Sequence, residues 1–400
     1  MMKKKILFVI ESLALGGAEK SLVTLLNLLD YGKYDVDLLL FAQGDPFQEL
    51  LPMEVNVLSI PDYFEYSCVP WKKNMAKKII HPKKMLAQVR YSISLRIGKH
   101  NNIEKAVLFW KVSNNCFNIV PKNYDFAVAY AQGVPTFFVA EKVKAKKKAA
   151  WINAIYIPEG RYLNYIKAVY KKYDFVNAVS ESVLTQMQST FNIAKEKTVV
   201  IKDILDFKFA KKMSEMKNNA IQEMDSKKRK LLTVGRLSEM KGYDLAIDAA
   251  KILKDNGIKF TWYAVGDGPL RTKLEKQIAD NGLQSDYIIL GSRNNPYPYF
   301  KLCDLYVQTS RFEGFGITLA EAKMFRKPIV TTNFDAVGAQ FENEKNGLIV
   351  DISAQAIADG IIRMLRDNKL RENCIVNVSH EKIENIEEVE KFYRMVETEC

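Results

Sequence analysis

The chain has 400 residues, of which 48% are hydrophobic and 26% charged, and its formal net charge is +12. This composition indicates two folded domains and excludes an intrinsically disordered chain. No apolar run approaches the roughly 20 residues that a membrane-spanning helix needs. The five cysteines are scattered without a CxxC pair, which argues against a disulfide framework and a zinc site and predicts a cytoplasmic protein.

The first half of the chain opens with a strand–helix–strand pattern. The apolar run ILFVI is short, Glu11 follows it at once, and no small-residue cleavage site appears, so the run predicts a buried strand and not a signal peptide. A loop with Gly16 and Gly17, an amphipathic helix and the strand YDVDLLLF come next, which predicts a parallel βαβ unit. Further strands are predicted at YDFAVAYAQ and YDFVNAVS.

A second alternation of strands and helices begins at KRKLLTVGRL. Five strands separated by helical patterns are predicted, at LLTVG, FTWYAVG, YIILGS, DLYVQTS and KPIVTTN. This alternation predicts a second doubly wound parallel sheet, and hence an α/β fold class with two such domains. Because residues 203–227 are polar and rich in charge, we expect domains at 1–203 and 204–382, followed by a charged terminal helix over 383–400.

The stretch RFEGFGITLAEA, residues 311–322, places a glycine-containing loop between a predicted strand and a helix. Backbone amides around Gly316 and Ile317 suit a phosphate, because the N-terminus of a helix has unpaired N–H groups and a positive dipole end. Glu321 lies about one turn into the helix, where it can accept hydrogen bonds from a ribose. Glu313 precedes the glycines and would face the group beyond the phosphates. The alternative is a helix start that carries acids only because of its dipole.

Other strand-end loops of the second half carry cations and glycines. GRLSEMKG places Arg236 and Lys241 at the same edge of the predicted sheet. The planar guanidinium of Arg236 and the compact ammonium of Lys241 together suit a diphosphate. Two solvated surface cations are the alternative. GDGP, with Gly266, is mainly typical of a turn. GSRNNPYP, with Arg293, fits either the wall of a nucleobase pocket or a plain loop.

The first half lacks the signature of a dinucleotide site. Gly16 and Gly17 do not form GxGxxG, so they indicate either a close approach of the backbone to a phosphate or sugar, or a simple tight turn. The three histidines, His81, His100 and His380, lie outside the predicted strand-end loops. Histidine-based catalysis and histidine metal ligation are therefore poorly supported.

Two tandem doubly wound domains with a GG loop, G-R-L-x-x-x-K-G and E-x7-E resemble family-4 glycosyltransferases of the GT-B fold. The resemblance is strongest over residues 231–350. It implies two Rossmann-like domains facing a cleft, with the acceptor on the first, the donor on the second, and the terminal helix packed back on the first. It also implies a retaining transferase that moves a hexose from a nucleoside diphosphate sugar, in particular a UDP-sugar, and that uses no metal or other cofactor. The implied acceptor is a lipid-linked oligosaccharide or polysaccharide of capsule, exopolysaccharide or lipopolysaccharide assembly.

The resemblance also assigns roles to individual residues. Glu313 would contact the donor sugar, while Arg236 and Lys241 would hold the diphosphate and stabilise the leaving group, and these three are the predicted catalytic residues. Glu321 would bind the ribose. The remaining predicted donor contacts are Gly316, Ile317, Gly17, Gly266 and Arg293.

The first half departs from the family pattern at two positions. Asn153 stands where a histidine that touches the donor sugar is expected, and Gln132 occupies a position that is often glutamate. Both are predicted sugar or acceptor contacts. Asn153 can hydrogen-bond a hydroxyl but cannot carry a proton or a charge.

The positive charge is concentrated in the first half. Residues 1–200 hold 28 basic and 17 acidic residues, and residues 67–172 hold 21 and 4. In this region Trp71, Ile79, Ile80 and Met85 lie among cations, and EKVKAKKK adds more, which predicts contact with an anionic membrane surface at the inner face of the cell membrane. A solvated face that keeps the protein soluble is the alternative.

Four other functions are compatible with parts of the sequence. A nucleotide-sugar epimerase would need acid and base groups that the scarcity of histidine disfavours, and a non-catalytic partner subunit would need only the binding residues. A nucleic-acid-binding protein is disfavoured because no recognition motif accompanies the basic residues. A periplasmic sugar-binding protein is disfavoured because no export signal is recognised.

Overall fold

The computed structural model describes residues 2–14, 16–68, 80–98, 100–153, 162–216, 218–224, 227–313 and 316–398. The chain forms two units, one of residues 1–203 with 387–400 and the other of residues 204–386. Each unit is built on a parallel β-sheet flanked by helices, which confirms the predicted α/β class with two doubly wound domains. None of the described helices is long and apolar enough to cross a membrane.

The first unit contains a parallel sheet with the strand order β3-β2-β1-β4-β5-β6-β7. Its strands are β1 Lys4–Ile10, β2 Tyr34–Leu40, β3 Asn56–Val57, β4 Asn123–Ala129, β5 Lys144–Ile152, β6 Phe175–Ala178 and β7 Thr198–Val200. Its α-helices before the terminal one are α1 Gly17–Leu28, α2 Asp62–Cys68, α3 Pro82–Arg96, α4 Asn102–Ser113, α5 Val134–Lys142, α6 Leu163–Tyr170 and α7 Glu181–Phe191. The apolar run of β1 is fully buried between β2 and β4, as expected for a central strand of a parallel sheet.

The terminal helix α16, Glu388–Glu397, completes the core of the first unit. Phe392 is fully buried and stacks on Phe8 with ring centroids 5.6 Å apart. Tyr393 stacks on Tyr34 at 5.5 Å and donates its hydroxyl to the carbonyl of Leu28 at 3.1 Å. Helix α16 therefore packs in the hydrophobic core of the first unit.

The second unit contains a parallel sheet with the strand order β10-β9-β8-β11-β12-β13. Its strands are β8 Arg229–Val234, β9 Phe260–Val265, β10 Tyr287–Gly291, β11 Leu305–Gln308, β12 Ile329–Thr332 and β13 Leu348–Val350. Its helices are α8 Phe207–Glu215, α9 Ala220–Glu223, α10 Tyr243–Asp255, α11 Arg271–Asp280, α12 Tyr297–Leu302, α13 Ile317–Met324, α14 Ala354–Arg366 and α15 Asn368–His380. All six residues of β9 are buried, and Trp262 is a fully buried member of the core of this unit.

One basic run has a different structure from the one the sequence suggested. Residues of EKVKAKKK form the start of β5, which pairs with β4 and β6 in the middle of the first sheet. Lys146 forms an ion pair with Asp125 at 2.7 Å, Lys147 donates to a backbone carbonyl of the terminal segment, and Lys148 donates to the carbonyl of Ala140. The run is thus the first half of a strand that the sequence did not predict. Three of its lysines have partners, but the side chain of Lys146 is still 74% exposed, so contact of this run with a membrane surface stays a prediction.

Candidate functional site

The site lies where the second sheet changes its strand order. β8 and β11 are neighbours in the sheet, although two strands separate them along the chain. In open parallel sheets ligands bind at such a switch point, beyond the carboxyl ends of the strands. The loops that follow these two strands, residues 235–242 and 309–316, carry the three predicted catalytic residues, Arg236, Lys241 and Glu313, and also Gly316.

The two loops are joined through their backbones. Gly242 has a positive φ of 63°, and a Cβ atom on it would lie 2.0 Å from the carbonyl oxygen of Thr309. Thr309 donates its hydroxyl to the carbonyl of Lys241 at 2.9 Å, and the amide of Arg311 donates to the carbonyl of Met240 at 2.7 Å. Because glycine alone tolerates both this conformation and this approach, Gly242 sets the distance between the loops.

An ion pair adds a second connection between the two loops. The guanidinium of Arg311 binds both carboxylate oxygens of Asp244, at 2.8 and 2.7 Å, and donates to the carbonyl of Glu239 at 2.9 Å. The hydrogen bond from Arg311 lowers the pKa of Asp244. This planar, two-point geometry orients the beginning of helix α10 against the second loop.

Lys241 and Glu313 meet at the centre of the site. The ammonium of Lys241 lies 2.5 Å from Glu313 Oε1. The same oxygen accepts hydrogen bonds from Gln308 Nε2 at 2.5 Å and from the hydroxyl of Ser310 at 2.7 Å. Glu313 is only 8% exposed, so these donors offset the cost of burying its charge. Within the described part of the chain no donor contacts Oε2, which leaves that oxygen available to a ligand hydroxyl.

Two polar side chains that hold Glu313 were not recognised from the sequence. Gln308 is buried and donates to both Glu313 and Ser310, while its own oxygen accepts from the hydroxyl of Tyr306 at 2.6 Å. These residues end the otherwise apolar strand pattern DLYVQTS. A buried polar group needs a hydrogen-bond partner, so this change from apolar to polar residues is the signal that would have identified them.

Helix α13 follows this loop and is preceded by a glycine in the left-handed conformation. Gly316 has φ 81° and ψ 53°, the left-handed conformation, and precedes Ile317, the first helical residue. The amides of the first turn of a helix have no acceptor within the helix and point outward from its N-terminus. The amides of Gly316 and Ile317 lie at this N-terminus, and their contact with a phosphate stays a prediction. Gly314, the other glycine of the motif, lies outside the described residues.

Glu321 is buried inside the second unit. It is 2% exposed and forms a hydrogen bond with the hydroxyl of Tyr297. Burial, together with the negative charge of Glu321, raises the pKa of that hydroxyl well above its usual value. The structure thus shows one partner of Glu321, and its contact with a ribose stays a prediction.

Arg236 lies in the first loop on a support made by glycines. Its side chain is exposed, and among the residues that the structure describes it forms no ion pair. A Cβ atom on Gly266 would lie 1.9 Å from the carbonyl oxygen of Gly235, and one on Gly268 would lie 2.5 Å from that of Leu237. The GDGP turn therefore packs directly beneath the loop that carries Arg236. A donor contact at Gly266 stays a prediction.

Arg293 is engaged elsewhere in the second unit. Its guanidinium contacts Glu223 at 2.7 and 3.1 Å and the hydroxyl of Tyr299 at 3.0 Å. No described contact joins Arg293 to Lys241 or Glu313. The structure therefore does not bring Arg293 into the Lys241–Glu313 cluster, and its predicted contact with the donor stays a prediction.

The predicted residues of the first unit lie after β1 and β4, which form its own switch point, and after the neighbouring strand β5. Gly17 begins helix α1 directly after the loop that follows β1, and Gln132 follows β4. Asn153 follows β5 and donates to the carbonyl of Tyr130 at 2.9 Å. These three residues are thus at the carboxyl edge of the first sheet, and their contacts with a donor or an acceptor stay predictions.

A buried polar cluster at this edge was missed by the sequence analysis. The hydroxyl of Tyr130 lies 3.0 Å from that of Ser21, and its ring stacks on Trp151 with centroids 4.7 Å apart. Asp203 is buried and bonded to Ser21, and burial raises the pKa of its carboxyl to about 6. Asp203 is the last residue before the second unit, and its position next to a polar linker gave no sign of burial.

Comparison with known proteins connects this geometry to a family. Residues 214–380 match the family model described as glycosyl transferases group 1, and this range contains both loops of the switch point. The second unit carries a glycosyl transferases group 1 domain. Two of the motifs that suggested glycosyltransferases from the sequence, G-R-L-x-x-x-K-G and E-x7-E, lie in that domain.

Relatives of the group 1 domain are glycosyltransferases. The chain is 28% identical over 208 residues to the N-acetylgalactosamine-N,N'-diacetylbacillosaminyl-diphospho-undecaprenol 4-alpha-N-acetylgalactosaminyltransferase of Campylobacter jejuni subsp. jejuni serotype O:2, covering 52% of this chain and 54% of that protein. It is 32% identical over 165 residues to the poly(ribitol-phosphate) alpha-N-acetylglucosaminyltransferase of Staphylococcus aureus (strain COL), covering 38% and 33%. The chain therefore spans about half or less of the length of these curated relatives.

Solved structures resemble the whole chain, not only the group 1 domain. A glycosyltransferase from Rickettsia africae has a TM-score of 0.68 at 16% identity, with all of both chains covered. Anabaena Alr3699/HepE, solved in complex with UDP, has a TM-score of 0.64 at 19% identity, with 98% of this chain and 99% of that one covered. At these identities the likeness shows the fold, which is the GT-B fold of glycosyltransferases.

Proposed function

We propose that the protein is a retaining glycosyltransferase that moves a hexose from a nucleoside diphosphate sugar, in particular a UDP-sugar, to a lipid-linked oligosaccharide or polysaccharide. The observation that carries the proposal is the Lys241–Glu313 pair, 2.5 Å apart at the switch point of a group 1 domain. The names of the two relatives support the acceptor class, since one acts on a diphospho-undecaprenol-linked sugar and the other on poly(ribitol-phosphate).

The diphosphate would bind between the two loops. Arg236 is exposed and carries a planar fork of donors, whereas Lys241 has three donors, of which one is directed at Glu313. The amides at Gly316 and Ile317 add the positive end of helix α13. Negative charge grows on the diphosphate as its bond to the sugar breaks, so these groups stabilise the transition state more than the bound donor.

The two glutamates would bind hydroxyls on opposite sides of the diphosphate. Glu313 has one oxygen fixed by Lys241, Gln308 and Ser310, and the other would accept a hydrogen bond from the donor sugar. Glu321, held by Tyr297, would accept from the ribose. A nucleotide sugar has hydroxyls at both ends, which explains why carboxylates bracket the phosphate-binding loop.

The transfer itself needs no protein nucleophile. The acceptor oxygen attacks the anomeric carbon on the face from which the diphosphate departs, and the departing phosphate oxygen takes the acceptor proton. The configuration of the sugar is thereby retained. Arg236, Lys241 and the helix N-terminus supply the positive charge that a divalent metal would otherwise supply, so the reaction proceeds without a metal.

A membrane-linked acceptor gives the enzyme a location as well as a substrate. The protein acts in the cytoplasm and binds peripherally to the inner face of the cell membrane through basic residues of the region 67–172. Within that region Trp71, Ile79 and the lysines at 72, 73, 77 and 78 lie outside the described residues.

A panel of nucleotide sugars tests this function. The purified protein is expected to hydrolyse one nucleotide sugar slowly and to keep full activity in EDTA. This nucleotide sugar and the corresponding nucleoside diphosphate should both raise its unfolding temperature. Lys241→Gln should lower turnover by about 100-fold or more. Lys251→Gln, which removes an exposed lysine paired with Asp255 on helix α10, is the matched control and should behave as the unmodified protein. Absence of stabilisation and turnover with every nucleotide sugar, or a strict metal requirement, would contradict the proposal.

A further inference from the structure

Helix α3, Pro82–Arg96, presents apolar side chains to the solvent. Leu86, Val89, Ile93 and Ile97 are 48%, 37%, 51% and 67% exposed. Their spacings of three and four residues align them along one face of the helix and its C-terminal end. A continuous exposed apolar stripe of this kind on a folded domain marks an interaction surface.

The opposite face of helix α3 already packs against the first unit. Ala87 is buried, and the ring of Tyr91 contacts that of Phe109 of helix α4 edge to face, with centroids 5.4 Å apart. Gln88 donates to the carbonyl of Ser67 at 3.3 Å. The inner face of the helix therefore attaches it to the first unit, while the apolar stripe on its outer face stays exposed to solvent.

Cations border the apolar stripe on both sides. Lys83 and Arg90 are exposed on one side of the helix and Arg96 on the other. Residues 80–98 contain no aspartate or glutamate. Lys84, on the inner side, is instead engaged with Asp62 at 3.8 Å and with the ring of Tyr66. The surface therefore combines an apolar centre with positive edges.

We infer that helix α3 docks the first unit on an anionic lipid surface. Leu86, Val89, Ile93 and Ile97 enter the boundary between headgroups and acyl chains, while the flanking cations bind lipid phosphates. A second copy of the chain fits less well, because pairing two such stripes brings like charges together without an acid in the segment to offset them. The inference deepens the proposed function, since it specifies the surface that brings the enzyme to a membrane-linked acceptor.

Vesicle sedimentation tests this inference with matched variants. The variant Val89→Ser/Ile93→Ser removes the centre of the stripe, and Ile221→Ser/Val376→Ser removes two exposed apolar residues of the second unit. The first variant is expected to bind vesicles rich in phosphatidylglycerol at least about tenfold more weakly, and the second as tightly as the unmodified protein. Equal binding of the stripe variant and the unmodified protein, or no binding of the unmodified protein, would overturn the inference.

Salt separates the charged from the apolar contribution to vesicle binding, because it screens only the charged one. Arg90→Gln/Arg96→Gln should lower binding to anionic vesicles at low salt and leave the weaker binding to neutral vesicles unchanged. The unmodified protein should retain part of its binding at high salt, and the stripe variant should lose it. A concentration-dependent dimer that Val89→Ser/Ile93→Ser dissolves would instead assign the stripe to a second copy and overturn the inference.

Failure of the docking inference is distinguishable from failure of the proposed function. Because all four substituted positions of helix α3 are exposed, both variants should keep the unfolding temperature and the hydrolysis of nucleotide sugar in solution. Vesicle binding by the stripe without any turnover would contradict the proposed transferase and support the docking surface. Turnover without vesicle binding would support the proposed transferase and contradict the docking surface.

Discussion

The ammonium of Lys241 lies 2.5 Å from a carboxylate oxygen of Glu313, although 72 positions separate the two residues in the chain. Each residue follows a different strand, and the pair forms because β8 and β11 are adjacent in the sheet. Glu313 is buried, so its charge depends on this cation and on two neutral donors. The residue expected to bind the sugar and the residue expected to bind the diphosphate are thus energetically coupled.

This coupling predicts a specific result for Lys241→Gln. The substitution leaves the Glu313 carboxylate without its cation, so the free energy of unfolding should fall by about 1–3 kcal/mol, and turnover should fall by about 100-fold or more. The double variant Lys241→Gln/Glu313→Gln should recover the stability but not the turnover. Denaturant unfolding and steady-state kinetics of the two single variants and the double variant measure both effects, and strictly additive stability changes would show that the pair is uncoupled.

The two glutamates should differ in what they bind. Glu321→Gln, which keeps the shape of the buried side chain, should weaken binding of the nucleoside diphosphate by about 1–3 kcal/mol. Glu313→Gln should spare the nucleoside diphosphate and lower turnover, or affinity, for the complete nucleotide sugar. Calorimetric titration of each variant with the nucleoside diphosphate and with the nucleotide sugar measures the two affinities. An equal loss of affinity for the nucleoside diphosphate in the two variants would show that this division of roles is wrong.

Gly242 should be far less replaceable than other glycines with a positive φ. Gly257 has φ 71° and open space around its Cβ position, so Gly257→Ala should cost only about 1–2 kcal/mol of backbone strain. Gly242→Ala adds a contact of 2.0 Å with a backbone oxygen, so it should destabilise the second unit more and lower turnover as the loops separate. Thermal unfolding measures the stability of the two variants. Similar losses of stability in both would show that the two loops tolerate separation.

Asp203 should make stability depend on pH in an unusual direction. Its pKa is raised from 3.8 to about 6 by burial, so the folded state binds the proton more tightly than the unfolded state. The contribution of protonated Asp203 to the free energy of unfolding is fully present below pH 4 and is lost as the pH rises through 6. Asp203→Asn removes this dependence, and its free energy of unfolding relative to the unmodified protein should rise by about 3 kcal/mol between pH 3.5 and 7.5. A difference that does not change with pH would contradict the assignment.

The terminal helix should be essential to the first unit. Phe392→Ala removes a fully buried ring that contacts Phe8, Phe126 and Trp151, and should destabilise this unit by about 3–5 kcal/mol. Tyr393→Phe, which removes only a hydroxyl that donates to the carbonyl of Leu28 and accepts from the amide of Asp30, should cost about 1–2 kcal/mol. Thermal unfolding measures both, and a smaller loss for Phe392→Ala than for Tyr393→Phe would contradict the packing.

Much of the local structure was determined by the sequence alone. Apolar runs of four to seven residues alternating with amphipathic segments predicted β8 to β12 and the helices between them in the right order, because these periodicities are local properties. The three-residue strand β13 was not predicted. The motifs also indicated that Arg236, Lys241, Glu313 and Glu321 lie in or next to strand-end loops. β5 was missed because its lysine-rich first half resembles a solvated surface run.

What only the tertiary structure decided is which of these loops meet. Parallel strands pair through connections of variable length, so no local pattern states that β8 lies beside β11 or that Lys241 binds Glu313. The same holds for Gln308 and Asp203, whose burial depends on neighbours far along the chain. It holds as well for helix α3, whose two apolar faces look alike in sequence until packing against helix α4 buries one and leaves the other in solvent.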